Sequence, residues 1–107
     1  MNIKNIIALE EVSIDLEISE KFYENQSQGL GKYFRDSIMS DIESLWLYAG
    51  IHKHVFGLYR LLSKRFPYGI YYEIKESTVI VVAVLDLRQN PNNISMLVSN
   101  RGSDVEN

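Results

Sequence analysis

The stretch "KRFPYGIYYEI", Lys64 to Ile74, places two cations, a proline, a phenylalanine and three tyrosines ahead of its first acid. With Arg60 just upstream, Arg60, Lys64 and Arg65 form the chain's basic cluster. Guanidinium forks grip a phosphate bidentately and can stabilise the charge that develops when a hydroxyl attacks it. Tyr68, Tyr71 and Tyr72 offer ring faces on which splayed bases could stack. The same residues also suit a plainer use. On a strand, Arg60, Leu62 and Lys64 share one face and make a solvated or partner-facing charged stripe, while tyrosines on adjacent strands hold a sheet together. Tyr72 reads as core; Tyr68, beside a turn, is the candidate functional hydroxyl.

Other chemistry is thinner. His52 and His54, in "HKH", could reach a metal from one side of an extended segment, but no third ligand is suggested, so a metal site is not expected. Glu10 and Glu11 stand where carboxylates complement a helix N-terminus. Asp86 could act as a general base if burial raised its pKa; an aspartate at a strand end more commonly pairs with an arginine, and Arg88 and Arg65 are both available. Gly-rich phosphate loops and nucleophile elbows are missing, and no serine has a histidine partner in view. No cofactor is implied.

These residues must be carried by one small domain, because 107 residues, 46% of them apolar, support a single core. A core of this size makes an obligate partner or a homodimer unsurprising. Cysteine is absent, which fits a reducing cytoplasm. The apolar run near the N-terminus is interrupted by Glu10 and Glu11 too early for a membrane span. Net charge is -3 and unevenly spread. Residues 1–51 hold nine acids and four bases, and residues 73–107 five acids and three bases, whereas residues 52–72 hold Lys53, Arg60, Lys64 and Arg65 and no acid. A local positive field is expected on an acidic molecule.

The elements follow from periodicity. Ile3 to Leu9 suits a strand, and Ser13 offers an N-cap for a helix to about Gln26. On that helix Ile14, Ile18 and Phe22 form one apolar stripe and Val12, Leu16 and Tyr23 a neighbouring one, so a broad buried face is expected. "NQSQGLG" breaks the chain before a second helix, in which Leu30, Phe34, Ile38, Ile42, Leu45 and Ala49 recur at helical steps up to Gly50. So short a link makes the pair an antiparallel hairpin. The chain is strand-like from about Leu58, turns near Pro67, and alternates from Tyr68 to Lys75. "TVIVVAVL", Thr78 to Leu85, is apolar on both faces and belongs mid-sheet. The expected architecture is α+β: an N-terminal strand and a helical hairpin packed on a small antiparallel sheet, in the order β-α-α-β-β-β. Residues 1–91 make the domain, and residues 92–107 a polar tail, mobile or partner-bound.

From about Ile6 to Pro91 the sequence resembles the RelE/ParE superfamily of type II toxin–antitoxin toxins, particularly its plasmid-stabilisation branch. The resemblance rests on "DLEISEKFYENQSQGLGKYF", on "KRFPYGIYYEI" and on "VIVVAVLDLRQNP", which looks like the family's closing strand and His-x-Arg-Arg-x-Pro type ending. Here Asp86 stands where many relatives place a histidine and Gln89 where many have the second arginine; Arg88 and Pro91 are retained. The resemblance implies a toxin neutralised by a cognate antitoxin and acting on DNA gyrase or on translation at the ribosome. As an alternative it implies a metal-independent mRNA endonuclease, with Arg65, Arg88, Lys64 and Tyr68 as catalytic candidates. Arg60, Lys64, Arg65 and Arg88 are the target-binding candidates. The departures at Asp86 and Gln89 also allow a relative that keeps the fold without toxicity.

Overall fold

The computed structural model describes residues 2–106. In chain order it runs β1 (Asn5–Ala8), α1 (Glu10–Gln26), α2 (Leu30–Glu43), the single turn α3 (Leu45–Tyr48), β2 (His54–Val55), β3 (Leu58–Leu62), β4 (Tyr68–Lys75), β5 (Thr78–Asp86) and α4 (Pro91–Glu106). The five strands form one sheet in the order β1-β5-β4-β3-β2. From β2 to β5 every pairing is antiparallel, as the alternating patterns imply. β1 instead runs parallel to β5, so the sheet is mixed. The helical hairpin between them carries the chain across the sheet, and such a crossover is what a parallel pairing requires.

Both faces of β5 are covered, which explains its unbroken apolar run. On one side Val79, Val81 and Val84 join Ile70 and Tyr72 of β4 against Val12, Leu16 and Tyr23 of α1 and Phe34, Ile38 and Ile42 of α2. On the other, Ile80, Val82 and Leu85 join Leu58 and Tyr71 in a second core with Ile94 and Val98. Those last two residues belong to α4. The tail expected to be mobile or partner-bound is therefore a helix, with Ile94 3% and Val98 1% exposed. Their four-residue spacing puts both on one helical face, enough for a short amphipathic helix to dock.

Within the hairpin, α1 starts three residues before the expected cap. Leu9 is the N-cap, and the Ser13 hydroxyl donates back to the Glu10 carbonyl. Only one of the two stripes of α1 is buried. Ile14, Ile18 and Phe22 remain 55%, 65% and 50% exposed. The link to α2 turns at Gly29, whose φ of 86° is a conformation that favours glycine. The Glu24 carboxylate accepts the backbone N–H groups of Gly29 and Gly31, satisfying donors at the start of α2. Gly31 lies so close to α1 that a Cβ there would sit 2.6 Å from the Glu20 carbonyl oxygen.

Candidate functional site

The β4–β5 register brings the basic elements to one end of the sheet. Tyr68 pairs with Asp86, and the Leu87 N–H donates to the Pro67 carbonyl at 2.8 Å. The loop that carries Lys64 and Arg65 thus lies beside the chain leaving β5 at Arg88. All three cations are exposed. The loop is pinned from within: Ser63 donates its hydroxyl to the buried Asp41 of α2 at 2.7 Å, and its N–H to the Tyr68 carbonyl at 2.9 Å.

Arg88 is already engaged. Its Nε and Nη2 donate to the two Asp86 carboxylate oxygens at 3.0 and 2.8 Å, and its backbone N–H donates to Asp86 Oδ1. The guanidinium holds the Asp86 carboxyl below its ordinary range, and the carboxylate raises the arginine in turn. Asp86 is therefore an acceptor-only anion at neutral pH, with no proton to exchange. Gln89 adds to the corner by donating its side-chain amide to the Asp86 carbonyl.

Arg60 is set apart from these three. It pairs across β3–β4 with Tyr71, on the α4 side of the sheet, and its side chain crosses over Gly69, where a Cβ would meet Arg60 Cδ at 3.2 Å. Arg60 Nε and the Tyr71 hydroxyl are buried, and neither makes a hydrogen bond among the described residues. Burial pushes the Tyr71 hydroxyl up, with the neighbouring Arg60 acting against it.

Tyr68 faces the other way, into the helical hairpin. Its ring lies in an aromatic cluster with Tyr23, Phe34 and Phe66. Its hydroxyl donates to Ser19 at 2.9 Å, and burial raises it to about 12. Tyr72 is fully buried, as its alternation suggests, and stacks on Tyr59. His52 Nδ1 meets the Tyr72 hydroxyl, which also accepts the Gly50 N–H, while His54 packs edge-on against Tyr59. Both histidines are thus used in ring packing, and among the described residues no three acidic or histidine side chains gather as a metal site.

The same end of the sheet opens into a groove of about 420 Å³ between α1 and α4, lined by Ile18, Phe22, Tyr68, Leu85, Asp86 and Leu97. Sequence reading missed this groove. Its signal is the second apolar stripe of α1, of which Ile18 and Phe22 form part of the groove wall and Ile14 stays exposed beside it.

No protein-family model matches this chain, and no curated protein does. Three chains of solved structures match. One, from the chromosomal ParDE TA system of P. aeruginosa, aligns at a TM-score of 0.67 over 80% of this chain and 98% of its own, with 16% identity. The chain has the RelE/ParE-like fold. Within that fold this chain sets Lys64 and Arg65 on a pinned loop, binds Arg88 to Asp86, turns Arg60 to the α4 side, and packs Tyr68 among the rings of the hairpin at the floor of the groove.

Proposed function

We propose that this RelE/ParE-like chain is the toxin component of a type II toxin–antitoxin system, held silent by a cognate antitoxin. The likeness to a chain of the ParDE TA system over 98% of that chain carries the reading. The exposed Ile14, Ile18 and Phe22 stripe beside the α1–α4 groove supports it, since an apolar stripe of this kind suits an amphipathic segment that folds as it binds. The toxin acts by binding a macromolecule rather than by cutting RNA. An endonuclease of the expected kind needs free cations converging on one phosphate, and here Arg88 is engaged by an anion, Arg60 points to the opposite side, and the Tyr68 hydroxyl is buried and donating to Ser19. DNA gyrase is the favoured target, since a net charge of -3 and the Asp86 carboxylate at the cation end of the sheet oppose approach to phosphate-rich ribosomal surfaces, and translation is the alternative. The working place is the cytoplasm; among the described residues no helix is long and apolar enough to cross a membrane.

Induction of the gene alone and together with its neighbour tests this directly. Expected are growth arrest that the neighbour relieves, intact transcripts and altered plasmid supercoiling. Cleaved ribosome-bound mRNA would replace binding by nuclease action, and unimpeded growth would identify a relative that keeps the fold without toxicity.

A further inference from the structure

The strand β1 ends the sheet, and its outer edge is open. The N–H groups of Asn5 and Leu9 donate inward to the Ser77 and Val81 carbonyls of the β5 side. By strand alternation, the N–H and C=O groups of Ile6 and Ala8 point outward. The sequence "NIIA" contains neither a charge nor a proline, the usual protections of an edge. Ile6 packs toward the helical hairpin, so Ile7 faces the opposite side, and it is 52% exposed. Alongside lies a second groove of about 410 Å³, whose lining includes Ile6, Leu9, Val12, Met39 and Ile42 with Arg35.

We infer that this edge is an interface for a second copy of the chain, the two β1 strands pairing antiparallel about a two-fold axis through Ile7. The register is self-complementary. Ile6 of one copy lies opposite Ala8 of the other, and each such pair exchanges both outward hydrogen bonds. Ile7 meets its own counterpart at the closer, non-hydrogen-bonded position, where apolar pairs contribute most. Lys4 of one copy reaches the end of the other strand, where Glu10 begins α1, so opposite charges meet twice. Any other registration puts an outward donor against no acceptor or separates these charges. At the far edge β2 is two residues long and offers no comparable template. The paired segment is short, so the association is in the micromolar range. The inference does not depend on the proposed function.

Sedimentation equilibrium from micromolar to submillimolar concentration is the test. The wild type should show a monomer–dimer equilibrium. Ile7→Lys, which sets like charges face to face at the axis, should weaken it by roughly tenfold or more without lowering the melting temperature of the monomer. Ala8→Pro removes an outward N–H that no intramolecular bond uses and should weaken it likewise. Lys4→Glu should weaken the dimer, and Lys4→Glu combined with Glu10→Lys should restore it, a rescue that a merely structural role would not produce. A wild type that stays monomeric throughout would overturn the inference. So would a dimer indifferent to both Ile7→Lys and Ala8→Pro.

Discussion

An arginine that fills its fork with a carboxylate two residues away has little left to offer a phosphate. Replacing Asp86 by Asn keeps the shape of the corner but removes the charge that holds Arg88. If the molecule acts by binding through its free surface, Asp86→Asn should leave its growth effect within about twofold. Should mRNA cleavage appear in this variant, the clamp would be what suppresses phosphate chemistry. The pair also makes a titration prediction. The Asp86 carboxyl, lowered by Arg88, should titrate by NMR below the ordinary 3.8, and Arg88→Ala should return it toward that value. His52 gives the opposite end of the scale. Desolvation lowers it below the ordinary 6.5, and a neutral Nδ1 can accept the Tyr72 hydroxyl proton, as a protonated ring cannot. Because the folded state binds this proton less readily than the unfolded chain, its contribution to stability is full above about pH 6.5 and is lost as pH falls through the depressed folded value. Urea midpoints measured from pH 7.5 to 5 should fall for the wild type and fall less for His52→Gln, which keeps an acceptor but cannot titrate.

The elements show why some of this was readable in sequence and some was not. β5 was legible because a run apolar on both faces has few places to go other than mid-sheet, and Val79 to Leu85 is buried throughout. The hairpin was legible because the period of α2 is strict and the glycines of the link mark a turn. Burial of the two stripes of α1 was not decidable, since both are apolar and only the sheet's position selects Val12, Leu16 and Tyr23 over Ile14, Ile18 and Phe22. Of the basic residues, sequence grouped Arg60 with Lys64 and Arg65 because they are neighbours in the chain. That Arg88 instead lies beside the Lys64–Arg65 loop follows from the β4–β5 register, and the face of Arg60 from the β3–β4 register, neither of which a local pattern fixes. The hairpin carries its own prediction. Gly31→Ala would push a methyl group against the Glu20 carbonyl oxygen, backbone that cannot yield cheaply, so α1 and α2 must separate. A loss of about 1–3 kcal/mol in urea unfolding is expected, and a neutral or stabilising result would mean that the helices pack less closely than the structure shows.

At the scale of the molecule, three layers are held together from outside the sheet as well as through it. Beyond the end of β1 the edge of β5 is bare, and Asp15 of α1 fills the gap by accepting the Val84 N–H at 3.0 Å. The same carboxylate receives a bidentate bond from Arg101 of α4, at 2.7 and 2.9 Å, with both side chains largely buried. One ion pair therefore ties the hairpin on one face to α4 on the other, around the open side of β5. Removing one partner from such a pair leaves a buried charge uncompensated, which costs far more than the pair itself contributes. Arg101→Ala should accordingly destabilise the fold by about 3 kcal/mol, and amide exchange should quicken along α4 and at Val84 together. Arg101→Ala combined with Asp15→Asn removes the stranded charge while keeping an acceptor for Val84, and should recover part of the loss. If α4 instead exchanged freely in the wild type, its helix would be an accessory to the domain. Coordinated protection of α4 and β5, lost in the single variant and only partly recovered in the double, which relieves the stranded charge but lacks the tie, is what a fold closed by this pair must show.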